Sequence, residues 1–236
     1  MEAEIKYIII DIEGTICSIS FVKDILFPYF LDKIQGFINN YFSNSESSAD
    51  LKPYIDSFPE EYRDSPTALL EHIRELTTTD QKVASLKSLQ GYIWKTGYLS
   101  GELCAPLYDD AYAAIDRWSR SRHVYVYSSG SVPAQILLFK HTGRGDYTDK
   151  LEGYFDTVSA GLKTLSDSYS KIVEAITVGS TDISSQILFL SDNVNEIKAA
   201  INAGLHAYVV DRPGNAPLSE VDRQLYKVVT TFDGLL

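Results

Sequence analysis

Short unbroken apolar runs and longer stretches of helical periodicity divide this chain. Residues 6–10, "KYIII", are short, continuous and rich in isoleucine, which predicts a buried strand. The period then changes. In "FVKDILFPYFLDKIQGFINNYF", Leu26, Phe30 and Phe37 can share one helical face with Ile34 and Tyr41. Residues 43–50, "SNSESSAD", are small and polar and predict a loop. From residue 51 to about 100 the pattern stays helical, with breaks at Pro53, Pro59 and Pro66. There "SPTALLEHIREL" sets a Ser or Thr cap ahead of an apolar repeat, and "DQKVASLKSLQGYIWKTGYLSG" ends near its glycines.

Beyond residue 110 strand and helix alternate. "DDAYAAIDRWSR" predicts a helix, "HVYVYSSGS" a strand ending in a small polar loop, and "VPAQILLFKHTG" a helix with a glycine stop. "YFDTVSAG" predicts a short strand, and "SDSYSKIVEAITVG" a helix capped by Ser166 or Asp167. "QILFLSD" and "VNEIKAAINAG" repeat the pair, and "HAYVVDRPGN" is a last strand and loop. Continuous apolar strands alternating with helices predict an α/β fold: a Rossmann-like parallel sheet covered on both faces. The first strand stands about 100 mostly helical residues ahead of the others. The domain reading is therefore a core of residues 1–18 with 110–236, and a helical cap of residues 19–109 inserted after the first strand.

Composition narrows the function class. The chain has 236 residues, enough for one sizeable core or a core with a modest second domain, and a formal net charge of −11. So acidic a chain is a poor binder of nucleic acid or anionic membrane, and an anionic substrate would need a metal or local positive charge. The two cysteines, Cys17 and Cys104, form no metal or redox spacing, and a reduced intracellular protein is expected. No secretory leader is read at "MEAEIKYIII", and no apolar run approaches the roughly 20 residues of a membrane span.

Ligands of open α/β sheets bind at the carboxyl ends of the strands. Asp11 stands at one such end, with Glu13, Gly14 and Thr15 just beyond; Asp192 and Asp211 stand at others. Asp11 and Asp192 brought together would repel. A divalent cation with few oxygen ligands and open positions, such as Mg²⁺, would mediate between them. Ser128, Ser129 and Gly130 precede a helix beginning near Val132, where hydroxyls and free N–H groups suit an anion. Lys163 offers a compact positive charge to a transferring phosphoryl group. Asp11 can attack phosphorus, and Glu13 can protonate the leaving oxygen and then activate water. Taken one at a time, these residues also read as caps, solvated loop side chains or surface lysine. His72, His123, His141 and His206 have no metal-ligand spacing and are read as structural.

"DIEGT", "YSSGS", "GLK" and "LFLSD", in that order and at strand ends, resemble the four motifs of the haloacid dehalogenase superfamily. Members usually carry Asp where this chain has Glu13. "DIEGT" itself, with "YSSGSVPAQILLF", "FDT", "SDSYSKI", "LQGYIWKTGY" and "VVDRPGNAPL", resembles the enolase-phosphatases of methionine salvage over nearly the whole chain.

That resemblance implies a bifunctional enzyme acting on a phosphorylated diketone, 2,3-diketo-5-methylthiopentyl-1-phosphate. It enolises the substrate, then removes phosphate through an aspartyl-phosphate to give the acireductone. It implies one Mg²⁺ per subunit on Asp11, the main-chain carbonyl of Glu13, and Asp192. Substrate would be bound by Ser128, Ser129 and Lys163, with Asp11, Glu13 and Lys163 catalytic. It further implies a monomer in cytoplasm and nucleus. Lys171, in "SYSKI", rivals Lys163 as the motif lysine. The stretch "TVGSTDISSQ" is expected to hold a loop extension away from the site, and Trp94, Lys95 and Tyr98 are candidate contacts for the methylthio tail. The alternatives are a phosphatase for another small phosphomonoester and a non-catalytic binding protein on the same fold. A metal-free dehalogenase would not need Glu13.

Overall fold

β1 (Tyr7–Ile10) pairs in parallel with β2 (His123–Tyr127) on one side and β4 (Ile187–Ser191) on the other. β3 (Gly153–Phe155) extends the sheet beyond β2, and β5 (His206–Val210) and β6 (Val228–Val229) extend it beyond β4. The result, in a computed structural model describing residues 4–43, 49–81, 83–177 and 183–236, is a parallel sheet of order β3-β2-β1-β4-β5-β6. The order reverses direction at β1, so the crevice of the fold opens at the carboxyl ends of β1 and its neighbours. The register aligns Ile8 with Val124 and Leu188, and Ile10 with Val126 and Leu190; all six are buried. Strands buried on both faces read as unbroken apolar runs, which is why β1 and β4 were plain in the sequence.

The chain divides into two compact units, residues 1–21 with 104–236 and residues 22–103. In the first, one sheet face packs Ile9, Tyr127 and Phe189 against α8 (Ser166–Ile176) and α9 (Val194–Asn202), through Tyr169, Ile172 and Ile197. α6 (Asp109–Trp118) carries Trp118, fully buried, whose ring lies 5.4 Å from Phe232 and whose Nε1 donates to the carbonyl of Leu235 at 3.0 Å. The chain's last residues are tied down through that ring.

The second unit is all helical. α1 (Phe27–Ser43), α4 (Pro66–Thr78) and α5 (Ala84–Ser100) bury Phe30, Ile34, Ile73, Leu89 and Ile93 in one core, with short helices at Lys52–Ile55 and Glu60–Arg63 between α1 and α4. Ser65 caps α4 by accepting from the Ala68 N–H, the cap read in "SPTALL". Trp94 donates from Nε1 to the carbonyl of Leu26, so within this unit it is a packing residue. Among the described residues no helix is long and apolar enough to cross a membrane.

Three local expectations differ. The helix read as continuous from Phe21 is widened to a π-helical turn at Val22–Leu26 before α1. Pro28 explains this: it has no N–H to donate, and its ring crowds the carbonyl four residues back. α8 is not capped by Ser166 or Asp167. Leu165 takes the cap position in extended geometry, its N–H already given to the Leu162 carbonyl, and Ser166 is the first helical residue. α10 (Glu220–Leu225) and β6 went unread, since six and two residues are too short to display a period. Residues 44–48 of the "SNSESSAD" loop and 178–182 of "TVGSTDISSQ" lie outside the described residues.

Trp118→Ala removes the largest fully buried side chain and the tether of the last residues. It is expected to cost about 3–5 kcal/mol. The check is a lowered urea midpoint with an unchanged far-UV spectrum at zero denaturant.

Candidate active site

The turn after β1 is built by backbone geometry. Asp11 continues the ladder, its N–H donating to the Leu190 carbonyl at 2.9 Å. The chain then folds over the Ile12 carbonyl, which accepts from the N–H groups of Thr15, Ile16 and Cys17. Gly14 sits at φ +70°, a left-handed conformation that glycine adopts without steric cost. A Cβ there would also come within 2.6 Å of Asp192 Oδ2, so the glycine makes room for that carboxylate. Two side chains from the loop after β5 pin the turn from outside. The buried Arg212 donates from Nε to the Thr15 carbonyl at 3.0 Å, and Asn215 donates from Nδ2 to the Gly14 carbonyl at 2.8 Å. Arg212 also pairs with Asp110 at 2.8 Å.

Lys163 comes in from the loop after β3. Gly161 turns that loop at φ +113°, where a Cβ would strike Ser168 Oγ at 2.6 Å. Three hydroxyls then hold the backbone: Tyr127 donates to the Gly161 carbonyl, Ser168 to Leu162 and Tyr169 to Lys163, each at 2.7 Å. The Lys163 side chain is 7 % exposed, and its Nζ stands 2.6 Å from Asp11 Oδ1 and 2.7 Å from Glu196 Oε2. Burial alone would lower the ammonium's pKa, but Asp11 and Glu196 outweigh it and hold the pKa above the ordinary lysine value. Ser191 donates to the same Glu196 oxygen at 2.7 Å.

Acid outnumbers base here. Asp11, Asp192 and Glu196 surround one ammonium, and Glu13 stands half-buried two residues past Asp11. Burial first, then the charges of Asp11 and Glu196, push Asp192 up to about 7. Burial likewise raises Glu196 against the pull of Lys163. Among the described residues no three acidic, His or Cys side chains form a closed metal cage. What Asp11 and Asp192 offer instead is two carboxylates crowded beyond what Lys163 neutralises. That donor set fits a hard cation holding few protein ligands and several waters.

The loop after β2 differs from its expectation. Ser128 is buried, gives its N–H to the Phe155 carbonyl and accepts on Oγ from the Gly130 N–H at 3.3 Å, while Ser129 is exposed. The N–H of Val132, first residue of α7 (Val132–Lys140), is not free for a ligand; it donates to Asp156 Oδ2 at 3.0 Å. Asp156 is the internal anion of that helix end. Burial opposes its ionisation, but N–H donors from Ser159, Val132 and Val158 win and hold its pKa below the ordinary value. An incoming anion is left with the Ser128–Ser129 segment rather than the helix itself.

The structure thus gathers Asp11, Lys163 and Asp192, with Glu13 on the adjoining turn and Ser128 on the next strand end. It leaves Lys171 exposed on α8. Asp211 is bound to Arg223 at 2.8 Å. His123 and His206 begin β2 and β5, at the end of the sheet opposite the site, and His72 stacks on Tyr62 at 3.8 Å in the helical unit. Glu196 was missed. Its signal was its spacing: four residues past Asp192 in "SDNVNE", it turns back from the first turn of α9 toward the strand end.

The chain matches the haloacid dehalogenase-like hydrolase family over residues 5–204. It is 49% identical to enolase-phosphatase E1 of Yarrowia lipolytica over 235 residues, 96% of this chain and 98% of that protein. It is 47% identical to enolase-phosphatase E1 of Debaryomyces hansenii, over 99% and 97% of the two chains. The crystal structure of the UTR4 protein of Saccharomyces cerevisiae superposes with a TM-score of 0.84 at 38% identity, covering 98% of this chain and all of that one. With its fold, its strand-end residues and its near-complete similarity in agreement, the chain belongs to the haloacid dehalogenase-like hydrolases and, within them, to the enolase-phosphatases.

Proposed function

We propose that this phosphatase enolises 2,3-diketo-5-methylthiopentyl-1-phosphate and then hydrolyses its phosphate ester, giving the acireductone of methionine salvage. The observation that carries the reading is the buried Asp11–Lys163–Glu196 chain of contacts at 2.6 and 2.7 Å, with Asp192 beside it. Such an arrangement presents a carboxylate nucleophile next to a fixed positive charge. We assign Mg²⁺ to Asp11, Asp192 and the Glu13 carbonyl; when bound, it supplies positive charge to the phosphoryl oxygens and to the crowded carboxylates. The monomeric state and the cytoplasmic and nuclear location carried by the resemblance belong to the same proposal, as does a capping role for residues 22–103.

The residues divide the work as follows. Lys163 holds Asp11 Oδ1, leaving the other carboxylate oxygen to attack phosphorus. As the bond from phosphorus to the substrate oxygen breaks, Glu13 donates its proton to that oxygen, and an aspartyl-phosphate remains on Asp11. Glu13 then takes a proton from water, whose oxygen attacks phosphorus and restores Asp11. Ser128 and Ser129 hold the phosphoryl oxygens. For the earlier enolisation the base removes a proton from the carbon next to a carbonyl, and a proton is delivered to that carbonyl's oxygen, giving the enol. Lys163, held protonated between two carboxylates, is a poor base, which leaves Glu13 as the candidate among the strand-end residues.

Asp11→Asn is expected to abolish phosphate release, because an amide is not a nucleophile. In a UV and phosphorus NMR assay with the diketone phosphate, the variant should accumulate the enol without free phosphate. Full turnover would remove the covalent step. Wild-type turnover should stop in excess EDTA and return with Mg²⁺; undiminished turnover without metal would refute the cation assignment.

Asp192 also sets a pH dependence. Its folded value, about 7, lies above the roughly 3.9 of an unfolded aspartate. Without cation, protonated Asp192 therefore favours the fold, a contribution complete below about pH 4 and lost as pH rises through 7. The cation requires the ionised form, so Mg²⁺ affinity should fall as pH drops below 7, with proton release on binding near pH 6. Calorimetric Mg²⁺ titrations between pH 5.5 and 8 test this, and a flat affinity would exclude Asp192 as the titrating ligand.

A further inference from the structure

Asn215 lies in the loop after β5, in "VVDRPGNAPL", and its amide is used on one side only. Nδ2 donates to the Gly14 carbonyl at 2.8 Å and to the Val210 carbonyl at 3.1 Å. Of the amide's two ends only Nδ2 can donate to those carbonyls, so they fix its orientation, and Oδ1 must face away from them. Oδ1 is buried and has no hydrogen-bond partner among the described residues. It converges with Asp192 Oδ2 over the Gly14 α-carbon: a Cβ placed there would stand 2.6 Å from the Asp oxygen and 3.0 Å from the Asn oxygen. Both oxygens thus lie over the same glycine, and the Asn oxygen has no donor among the described residues. A buried acceptor left without a donor is destabilising, so the Asn oxygen calls for a group that donates.

A water on a divalent cation is such a group. Its lone pair faces the metal and both hydrogens point outward. We propose that Asn215 Oδ1 accepts from a water of the cation held at Asp192, making Asn215 a positioning residue for that hydrated ion. The proposal rests on the assignment of a cation to Asp192. It also gives the Asn215 amide two tasks: Nδ2 shapes the turn that carries Glu13 and Gly14, and Oδ1 orients the water beside it.

The test titrates Mg²⁺ alone, without substrate, into wild type, Asn215→Ala and Asn215→Asp by calorimetry, with thermal melting in EDTA as the folding control. Asn215→Ala should bind Mg²⁺ about 10-fold or more weakly, the range seen when an outer partner of a metal ligand is lost. Asn215→Asp keeps an acceptor but loses the two amide donors, and should bind at least as tightly as wild type. With Mn²⁺ as probe, water exchange on the bound ion, read from field-dependent proton relaxation, should speed up in Asn215→Ala. Weakening of less than about threefold in a folded Asn215→Ala overturns the proposal. So does equal weakening in both variants, or weakened binding with unchanged water exchange, since either assigns Asn215 to the turn alone. If Asn215→Ala does not fold, Asn215→Asp decides: wild-type affinity supports the proposal and tenfold weaker binding overturns it. Wild type that binds no Mg²⁺ refutes the cation assignment and this proposal with it, whereas intact wild-type binding beside an unaffected Asn215→Ala refutes this proposal only.

Discussion

One buried ammonium facing more carboxylates than it can neutralise is the constraint on which the site depends. Lys163 touches Asp11 and Glu196, and Asp192 stands close enough for both carboxylates to raise its pKa. Uncompensated charge at this burial is unfavourable, and removing one partner of a buried pair leaves the other exposed to the full desolvation penalty. The surrounding structure is arranged to keep the members in place. Parallel strands deliver Asp11 and Asp192 to the same end of neighbouring rows, and the Gly14 turn admits the second carboxylate.

The loops that hold the site are tied down by side-chain hydrogen bonds rather than by regular structure. The Lys163 segment has no regular structure, yet three consecutive carbonyls, those of Gly161, Leu162 and Lys163, are each taken by a buried hydroxyl from a neighbouring element. The Ser128 segment is fixed differently, by Asp156 filling the amino end of α7 and by Gln135 donating to the carbonyls of Gly130 and Phe155. In both, side-chain groups do for a loop what a ladder does for a strand. A lysine on a floppy loop would sample water; here its stem runs past the rings of Tyr127 and Phe189, with Nζ 5.7 and 5.9 Å from their centroids.

What could be read from the sequence follows from this arrangement. β1 and β4 announce themselves because both faces are buried, and the carboxylates that end them are conspicuous after four or more apolar residues. Lys163 was legible through its place in the "GLK" loop after a strand, whereas its rival Lys171 falls inside a predicted helix, and their burial separates them in the same sense. Glu196 was not legible as a site residue, because an acid in the first turn of a helix has an ordinary explanation in the helix dipole. Arg212 and Asn215 were hidden for another reason: their partners are main-chain carbonyls, which carry no letter in a sequence. The π-helical turn before α1 was written in Pro28, a single residue inside a strongly periodic stretch whose apolar pattern runs on through the defect.

The same carbonyl contacts have a consequence for how the molecule comes into being. Asn215 and Gly14 are 201 positions apart, and Arg212 and Thr15 are 197 apart. The helical unit is one uninterrupted stretch, residues 22–103, whose core closes by contacts local to it. The sheet unit is split around it, so β1 leaves the ribosome first and must wait for β4 before one of its two neighbours exists. Until then its isoleucines are an open edge, and edges of that kind recruit other chains. The insertion thus favours an order: the helical module, local in its contacts, can close while the strand that leads into Asp11 still lacks both neighbours.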